Sequence, residues 1–564
     1  MEALDWLVIG VFFLALIGII VWVVRQKQND SADYFLGGRD ATWLAIGASI
    51  FASNIGSEHL IGLAGAGASS GMAMAHWEIQ GWMILILGWV FVPFYTRSMV
   101  YTMPEFLERR YNPQSRTILS VISLVSYVLT KVAVTVYAGG LVFQQVFGIK
   151  ELWGIDFFWI AAIGLVVLTA LYTIFGGMKS VLYTSVLQTP ILLLGSLIIL
   201  VLGFKELGGW DEMMRVCGAV TVNDYGDTMT NLIRSNDDAN FPRLGALIGS
   251  AIIGFWYWCT DQFIVQRVLS GKNEMEARRG TIFGAYLKLL PVFLFLIPGM
   301  IAFALHQKYI GAGGEGFLPM LENGTANADA AFPTLVAKLL PAGVKGLVVC
   351  GILAALMSSL ASLFNSSAML FTIDFYKRFR PQTSEKKLVG IGQVATVVIV
   401  ILGILWIPIM RSVGDVLYTY LQDVQSVLAP GIAAAFLLGI CWKRTSAQGG
   451  MWGLISGMVI GLTRLGAKVY YSNAGEVADS TFKYLFYDMN WLFFCGWMFL
   501  FCIIVVIVVS LATEAPTAEK IQGLVFGTAT KEQKASTRAS WNHWDIIHTV
   551  IILAITGAFY WYFW

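Results

Sequence analysis

Residues 51–82 read FASNIGSEHLIGLAGAGASSGMAMAHWEIQGW, an apolar stretch typical of membrane segments that nevertheless carries several polar and ionisable side chains. Asn54, His59 and Glu78 would lie at membrane depth, where such groups are costly and usually face a bundle interior or a water-filled cavity. Gly56 interrupts the helical pattern beside Asn54, and a helix broken there would free backbone carbonyls that can coordinate a cation. The stretch therefore predicts a broken membrane helix at a binding site.

A purely structural interpretation of the same stretch remains open. Glycine-rich membrane helices pack closely on their neighbours, and polar side chains can hydrogen-bond between them. This packing role suits Gly62, Gly65 and Gly67 best. For the polar residues between Asn54 and His59, together with Glu78, a functional role is favoured because ionisable groups inside a membrane are functional by default.

The whole chain has the composition of a membrane protein. Of its 564 residues, 57% are hydrophobic and 13% are charged, and the mean hydropathy is +0.70. A soluble protein of this length would need a more polar surface. The net charge of +2 does not point to a charged partner. Trp6–Val24 lacks a small-residue cleavage motif, so we expect it to be a retained membrane helix rather than a signal peptide.

Apolar runs long enough to cross a bilayer recur along the chain. They predict about fourteen transmembrane helices, near residues 5–24, 41–70, 76–98, 117–147, 155–175, 180–204, 242–265, 280–304, 333–376, 386–409, 415–440, 448–468, 489–513 and 543–563. Lysine and arginine cluster in every second loop, which the positive-inside rule places in the cytoplasm. The sequence therefore predicts an all-α polytopic protein of the plasma membrane or bacterial inner membrane, with both termini outside.

The motifs of ATP-driven and enzymatic proteins do not stand out in the sequence. We find no nucleotide-binding P-loop, kinase signature or metal-binding helix motif. Glu58, His59 and Glu78 could in principle perform acid–base chemistry. However, no nucleophile–base pair or metal-ligand spacing accompanies them, so we expect a protein that is not an enzyme.

A second polar cluster follows three aromatic residues in the predicted helix near 242–265. The run Phe255–Gln262 reads FWYWCTDQ. Aromatic faces suit the C–H faces of a sugar ring, and carboxylates and amides suit its hydroxyls. The alternative is an interfacial aromatic belt, which stays open for Trp256. Tyr257 and Trp258 stand beside intramembrane polar groups, so we expect them to line a pocket.

Three further polar features lie inside apolar segments. Lys288 could extend its ammonium to the cytoplasm or pair with a buried acceptor. Gln422 also lies in an apolar frame. Ser358, Ser359 and Ser362 stand among alanines, and small residues permit close helix approach. Their hydroxyl oxygens, together with free carbonyls, suit a hard cation such as Na⁺.

These features together resemble sodium/solute symporters, specifically the sodium–glucose cotransporter branch. The match is spread over nearly the whole chain, and the Trp-Tyr-Trp-Cys-Thr-Asp-Gln run is its most specific part. The stretches that carry it are Ala52–Ser57, Thr102–Phe106, Ala170–Thr173 with Gly176 and Gly177, Trp256–Gln262, Tyr286–Pro291 and Leu356–Phe364.

The resemblance implies a LeuT-like fold of two inverted five-helix repeats, each with a broken first helix. The implied organisation is 1–40 as an extra N-terminal helix and loop, 41–204 as the first repeat, 205–241 as an outside loop, 242–440 as the second repeat, and 441–564 as three additional helices with a cytoplasmic loop at 514–540.

The resemblance also implies the site residues. The sodium ligands would be the carbonyls of Ala52, Ile55 and Ala355 and the hydroxyls of Ser358 and Ser359. The substrate-binding residues would be Asn54, His59, Glu78, Lys288 and Gln422, with Tyr257 stacking on the sugar ring as the inner gate, flanked by Trp258. The outer gate would be Leu63, Trp77 and Tyr418.

Three positions depart from the family pattern. Ser185 stands where an acidic residue is common, and Ala361 stands where members with a second sodium site have a hydroxyl. Both differences argue against a second sodium. Gly254 has no side chain where relatives place threonine or asparagine against the sugar, which leaves hexose selectivity open.

The resemblance implies Na⁺-driven symport of a hexose by alternating access, with one Na⁺ per sugar. The alternatives are a membrane sensor for sugar and sodium, or a symporter of another polyol such as inositol. The expected partners are a small-molecule sugar, the sodium ion and the lipid bilayer, without nucleic acid. The sequence leaves an accessory subunit open.

Overall fold

The structure is a computed structural model that describes residues 1–26, 30–56, 58–321, 324–411, 417–473 and 478–564. Within helices, the side chains of residues 129, 145, 409–411, 417–421 and 473 lie outside this description. Tyr418, predicted to belong to the outer gate, is one of these side chains. Ser57, part of the opening polar stretch, is outside the described residues altogether.

Most of the described chain is helical. In its first half the α-helices are Ala3–Arg25, Ser31–Leu36, Trp43–Asn54, Ala64–Ser70, Ala75–Glu78, Gly81–Ile86, Val92–Ser98, Met103–Arg110, Pro113–Ser126, Ala133–Phe147, Phe157–Leu207, Trp210–Gly218, Arg243–Phe255 and Gln262–Leu269. In the second half they are Glu274–Lys288, Ile297–Gly311, Ala331–Leu339, Val344–Met369, Lys377–Phe379, Glu385–Arg411, Leu417–Cys441, Ala447–Asn473, Thr481–Lys483, Trp491–Ala512, Ala518–Ile521, Lys531–Ala539 and His543–Tyr562.

Wider and tighter helical turns interrupt or join these helices. The π-helical segments are Glu58–Leu63, Leu87–Phe91, Tyr127–Val132, Trp256–Thr260, Val292–Leu296, Leu370–Tyr376 and Tyr484–Asp488. The 3₁₀ segments are Gly37–Arg39, Gly71–Met74 and Ala328–Ala330. Two short antiparallel strands, Glu151–Leu152 and Ile155–Asp156, form one hairpin. Such π-helical turns are often found at functional sites.

The helices form a bundle with many large apolar side chains on its exterior. Within the described residues, ten helices are long and apolar enough to cross a membrane. Large apolar side chains stay exposed on the outside, including Leu14 at 71% and Leu405 at 66%, as is typical of a surface that contacts a membrane. The predicted number of fourteen spans and the side of the termini stay predictions.

One long helix contains two of the predicted spans. Phe157–Leu207 covers nearly all of 155–175 and the whole of 180–204, and it turns at Gly177, where φ is +53°. A Cβ on Gly177 would lie 2.4 Å from the Tyr34 carbonyl oxygen. Only glycine combines this positive φ with such a close approach.

The first broken helix comprises Trp43–Asn54, Glu58–Leu63 and Ala64–Ser70. Its first part ends where Ile55 takes an extended conformation, with φ −79° and ψ 105°. The last carbonyls of a helix have no partner within it, so the break leaves oxygens near Ile55 available. The break lies beside Gly56, as the sequence predicts.

The second broken helix comprises Arg243–Phe255, Trp256–Thr260 and Gln262–Leu269. It is interrupted at Asp261, with φ −75° and ψ 127°, whose side chain caps the next segment by accepting from the Phe263 amide. The two broken helices lie near the starts of the two predicted repeats. The repeat limits themselves, 41–204 and 242–440, stay predictions.

One predicted segment boundary is wrong, and one predicted loop contains a helix. The predicted span 333–376 begins with a separate helix, Ala331–Leu339, because Leu340 before Pro341 takes an extended conformation. The predicted loop 514–540 contains the helix Lys531–Ala539, which begins with a capping box formed by Thr530 and Gln533. The segment 514–540 is therefore polar because it contains exposed helix faces as well as loop residues.

Candidate functional site

A cavity lies between the two broken helices. Residues from both of them meet there with residues from three neighbouring segments. The cavity is lined by all seven of the predicted substrate-binding residues: Asn54, His59, Glu78, Tyr257, Trp258, Lys288 and Gln422. Trp77 of the predicted outer gate also lines it. The structure therefore brings together residues that are up to 368 positions apart in the sequence.

One hydrogen bond links the two broken helices across this cavity, and two further contacts extend it to Glu78. The Tyr257 hydroxyl donates to Asn54 Oδ1 at 3.0 Å. Asn54 Nδ2 lies 3.3 Å from His59 Nε2, and the same His59 nitrogen lies 3.3 Å from Glu78 Oε2. A movement of either broken helix must therefore change the shape of the cavity.

Lys288 pairs with Glu78 inside the protein. Its Nζ lies 2.6 Å from Glu78 Oε2 and 5.3 Å from the centre of the Trp258 ring. Lys288 is 3% exposed and Glu78 is 1% exposed. Of the two roles the sequence leaves open for Lys288, the structure therefore has the buried pair and not the extension to the cytoplasm.

Three buried polar atoms in the cavity wall have no hydrogen-bond partner among the described residues. They are His59 Nδ1, Trp77 Nε1 and Gln422 Oε1. Leaving a buried donor or acceptor unpaired costs roughly 1–3 kcal/mol per group. Trp77 Nε1 donates, Gln422 Oε1 accepts, and His59 Nδ1 does either according to its tautomer, so the three atoms suit a ligand that both accepts and donates hydrogen bonds.

Of the predicted gate residues, Trp77 and Tyr257 line the cavity. Trp77 stacks on Trp491, with ring centres 5.6 Å apart, and Leu63 is fully buried. Tyr257 packs edge-on against Trp258 at 4.9 Å. Both Trp77 and Tyr257 therefore line the cavity while packing on another aromatic ring.

A buried ion pair that the sequence does not predict lies beside Tyr257. Lys131, in the π-helical segment Tyr127–Val132, lies 2.5 Å from Asp261 Oδ2 and 4.8 Å from the centre of the Tyr257 ring. The Tyr127 hydroxyl also donates to Asp261. The available signal was a single lysine inside the apolar run 117–147.

The predicted sodium ligands lie on two helices that pack together at the break. Ser359 Oγ lies 3.1 Å from the position a Cβ on Gly56 would take, which places the serine hydroxyl beside the freed carbonyls of the first broken helix. Ala52, Ile55 and Ala355 are all buried at 1% exposure or less. Buried carbonyl and hydroxyl oxygens are ligands that suit Na⁺.

The two departures from the family pattern lie close to this cluster. Ser185 Oγ lies 3.2 Å from Ser358 Oγ and donates to the Val181 carbonyl at 2.6 Å. Ala361 is buried and offers no side-chain oxygen. This neighbourhood therefore carries fewer oxygen ligands than a carboxylate and a further hydroxyl would give.

Comparison with known proteins shows the family to which the chain belongs. The family model "Sodium:solute symporter family" matches residues 34–457. The chain is 36% identical to the human sodium/myo-inositol cotransporter 2, over 94% of this chain and 79% of the human protein. It is 35% identical to sodium/glucose cotransporter 4 of Danio rerio, over 96% of this chain and 84% of that protein.

The fold is also that of a solved transporter structure. A Na⁺-coupled sialic acid symporter in a substrate-bound outward-open state superposes with a TM-score of 0.72 at 22% identity, over 92% of this chain and 99% of the other. This likeness confirms the predicted LeuT-like fold. The protein is a Na⁺-coupled multi-pass transporter and not an enzyme, and the chain belongs to the sodium:solute symporter family.

Proposed function

We propose that the transported solute is a polyhydroxylated six-membered ring, either a hexose or myo-inositol. The observation that carries the proposal is the trio of unpaired buried atoms: His59 Nδ1, Trp77 Nε1 and Gln422 Oε1. Each hydroxyl of a polyol can donate one hydrogen bond and accept others. Tyr257 and Trp258 offer aromatic faces to the C–H side of such a ring.

Hexose and cyclitol stand as equal candidates. The relatives named above include a myo-inositol cotransporter and a glucose cotransporter at nearly the same identity. Myo-inositol is therefore as strong a candidate substrate as the hexose predicted from the sequence. Gly254, which offers no side chain to the substrate, leaves that choice to other residues of the cavity.

Uptake into proteoliposomes tests the proposal. With an inward Na⁺ gradient, we expect uptake of labelled glucose, galactose or myo-inositol, and no uptake when choline replaces Na⁺. Sorbitol and a neutral amino acid serve as negative substrates. Binding of a polyol without Na⁺-driven uptake would instead support the sensor alternative, and absence of both binding and uptake would contradict the proposal.

In the proposed mechanism, sodium and solute meet at one turn of the chain. Sodium enters from outside and binds the carbonyls of Ala52 and Ile55 together with the serine hydroxyls. This holds the break of the first broken helix in one shape. Asn54 lies on that same turn and hydrogen-bonds Tyr257, so an ordered break completes the solute site.

We expect Ser359→Ala to weaken sodium activation. The substitution removes one ligand oxygen, and a contact to a charged group contributes roughly 1.5–3 kcal/mol, which corresponds to about a tenfold or larger rise in half-saturating Na⁺. The measurement is uptake against Na⁺ concentration. Ser367→Ala is the matched control, because Ser367 is a buried serine of the same helix whose hydroxyl has no partner among the described residues. An unchanged sodium response in Ser359→Ala would contradict the assignment.

We expect one sodium per solute molecule. Ser185 and Ala361 supply neither the carboxylate nor the hydroxyl of a second site, and a buried, poorly compensated charge is costly. Paired ²²Na⁺ and labelled-solute fluxes in proteoliposomes measure the ratio. A ratio near two would contradict the expectation, and its loss in Glu58→Gln would assign the second ion to Glu58, which lines the same cavity.

A further inference from the structure

Gln80 occupies the space that a side chain at position 254 would fill. A Cβ on Gly254 would lie 2.4 Å from Gln80 Oε1, 2.8 Å from Cδ and 2.9 Å from Nε2. Real Cβ atoms essentially never make contacts this short, so this Gln80 conformation and any larger residue at 254 exclude each other. Gln80 and Gly254 both line the cavity between the broken helices.

The hydrogen bonds of Gln80 fix the direction of its amide. Gln80 Nε2 donates to the Ser250 carbonyl oxygen at 2.8 Å. A carbonyl oxygen only accepts, so the NH₂ end must face Ser250 and the oxygen must point the other way. Gln80 is 3% exposed, and its Oε1 has no hydrogen-bond partner among the described residues.

We propose that Gln80 is a specificity-determining residue whose Oε1 accepts a hydrogen bond from one hydroxyl of the substrate. It thereby takes the place of the side chain that Gly254 lacks. The inference rests on the proposed polyol function and adds to it an acceptor contributed from a different helix. An amide oxygen recognises a hydroxyl and rejects a position that carries only hydrogen or an ether oxygen.

A purely structural role would use only half of the Gln80 amide. The hydrogen bond from Nε2 to Ser250 is enough to hold the segment that carries Gln80 against the second broken helix. Methionine would fill nearly the same volume as glutamine. The Oε1 atom accepts no hydrogen bond from the described residues, so a structural role leaves it unused. A substrate hydroxyl that donates to Oε1 gives the difference between bound and free states that specificity requires.

Gln80→Met tests the acceptor directly. Uptake of the preferred polyol is competed with its complete set of single-deoxy analogues, in wild type and in the variant. In wild type, one analogue is expected to compete roughly tenfold less well because it cannot donate to Oε1. In Gln80→Met, that analogue should compete as well as the parent polyol, and the ranking of the other analogues should stay unchanged.

Gln393→Met is the matched control. Gln393 is a half-buried glutamine whose Nε2 donates to the Ile174 carbonyl at 3.1 Å, and it does not line this cavity. Gln393→Met removes the same kind of hydrogen bond to a backbone carbonyl. It should leave the competition by the deoxy analogues as in wild type. A changed pattern in Gln393→Met as well would overturn the assignment to Gln80.

A double variant tests the exclusion between positions 80 and 254. Gly254→Ser alone should lose roughly tenfold or more of the uptake rate, because its Cβ forces the Gln80 amide to move, and the moved amide gives up both its hydrogen bond to Ser250 and its place beside the substrate. Gly254→Ser combined with Gln80→Ala should recover uptake, since the space is free and a hydroxyl is restored. Normal uptake in Gly254→Ser alone, or no recovery in the double variant, would overturn the inference.

The failures of the inference and of the proposed function are distinguishable. If wild type shows no Na⁺-dependent uptake of any polyol, the proposed function fails and this inference falls with it. If wild type takes up a polyol and Gln80→Met keeps the wild-type analogue pattern, the inference alone is overturned. The expected result is a pattern change confined to one hydroxyl.

Discussion

Glu78→Gln is expected to abolish Na⁺-dependent uptake. The Glu78 carboxylate lies 2.6 Å from Lys288 Nζ and 3.3 Å from His59 Nε2, and all three side chains are buried. A neutral amide would leave the Lys288 ammonium without a compensating charge. Removing one partner of a buried ion pair costs roughly 3–5 kcal/mol, and the solute site loses an acceptor at the same time.

Two further variants separate folding from function at Glu78. Glu78→Gln combined with Lys288→Met removes both charges and should recover thermal stability in detergent without recovering uptake. Glu212→Gln changes a carboxylate that pairs with Arg215 on the surface, and it should leave uptake unchanged because exposed pairs contribute little. Wild-type uptake in Glu78→Gln would contradict the placement of this residue in the solute site.

Asp261→Asn is expected to lower both stability and uptake. Asp261 lies at the interruption of the second broken helix and is the partner of Lys131, whose Nζ lies 4.8 Å from the Tyr257 ring centre. Asparagine leaves Lys131 buried and uncompensated, at a cost of roughly 3–5 kcal/mol. Because Tyr257 packs on Lys131, the inner gate should also lose its support.

The rescue variant for this pair is Asp261→Asn with Lys131→Met. Removing both charges should restore the melting temperature toward the wild-type value, since paired replacement of a buried ion pair is often neutral. The melting temperature is measured in detergent, and uptake is measured alongside it. A single Asp261→Asn variant that melts and transports like wild type would contradict a supporting role for the pair.

The sequence predicts the broken helix well because its signals are local. Gly56 stands beside Asn54 within one apolar stretch, and the cost of polar groups in a membrane applies whatever the tertiary structure is. The same reasoning identifies Glu78 and Lys288 individually. That they pair with each other depends on how two distant helices pack, and the sequence leaves two roles open for Lys288.

The residues that the sequence analysis missed are those whose role depends entirely on a neighbour. The role of Lys131 follows from its ion pair with Asp261, and the role proposed for Gln80 follows from the missing side chain at Gly254. Helix boundaries were missed for a related reason. The apolar run 333–376 satisfies the hydropathy criterion throughout, but Leu340 takes an extended conformation before Pro341, and the chain forms two helices.

Sodium and the polyol should tighten each other's binding by the same factor, because the proposed sodium carbonyls and Asn54 share one broken turn. Coupling free energies are reciprocal and typically correspond to roughly 5–150-fold changes in affinity. The direct measurement is calorimetry on purified wild-type protein. The Kd of the polyol is measured in Na⁺ and in choline, and the Kd of Na⁺ is measured with and without the polyol. The two ratios are predicted to agree and to exceed about five, and a polyol Kd that is the same in choline as in Na⁺ would contradict the shared turn.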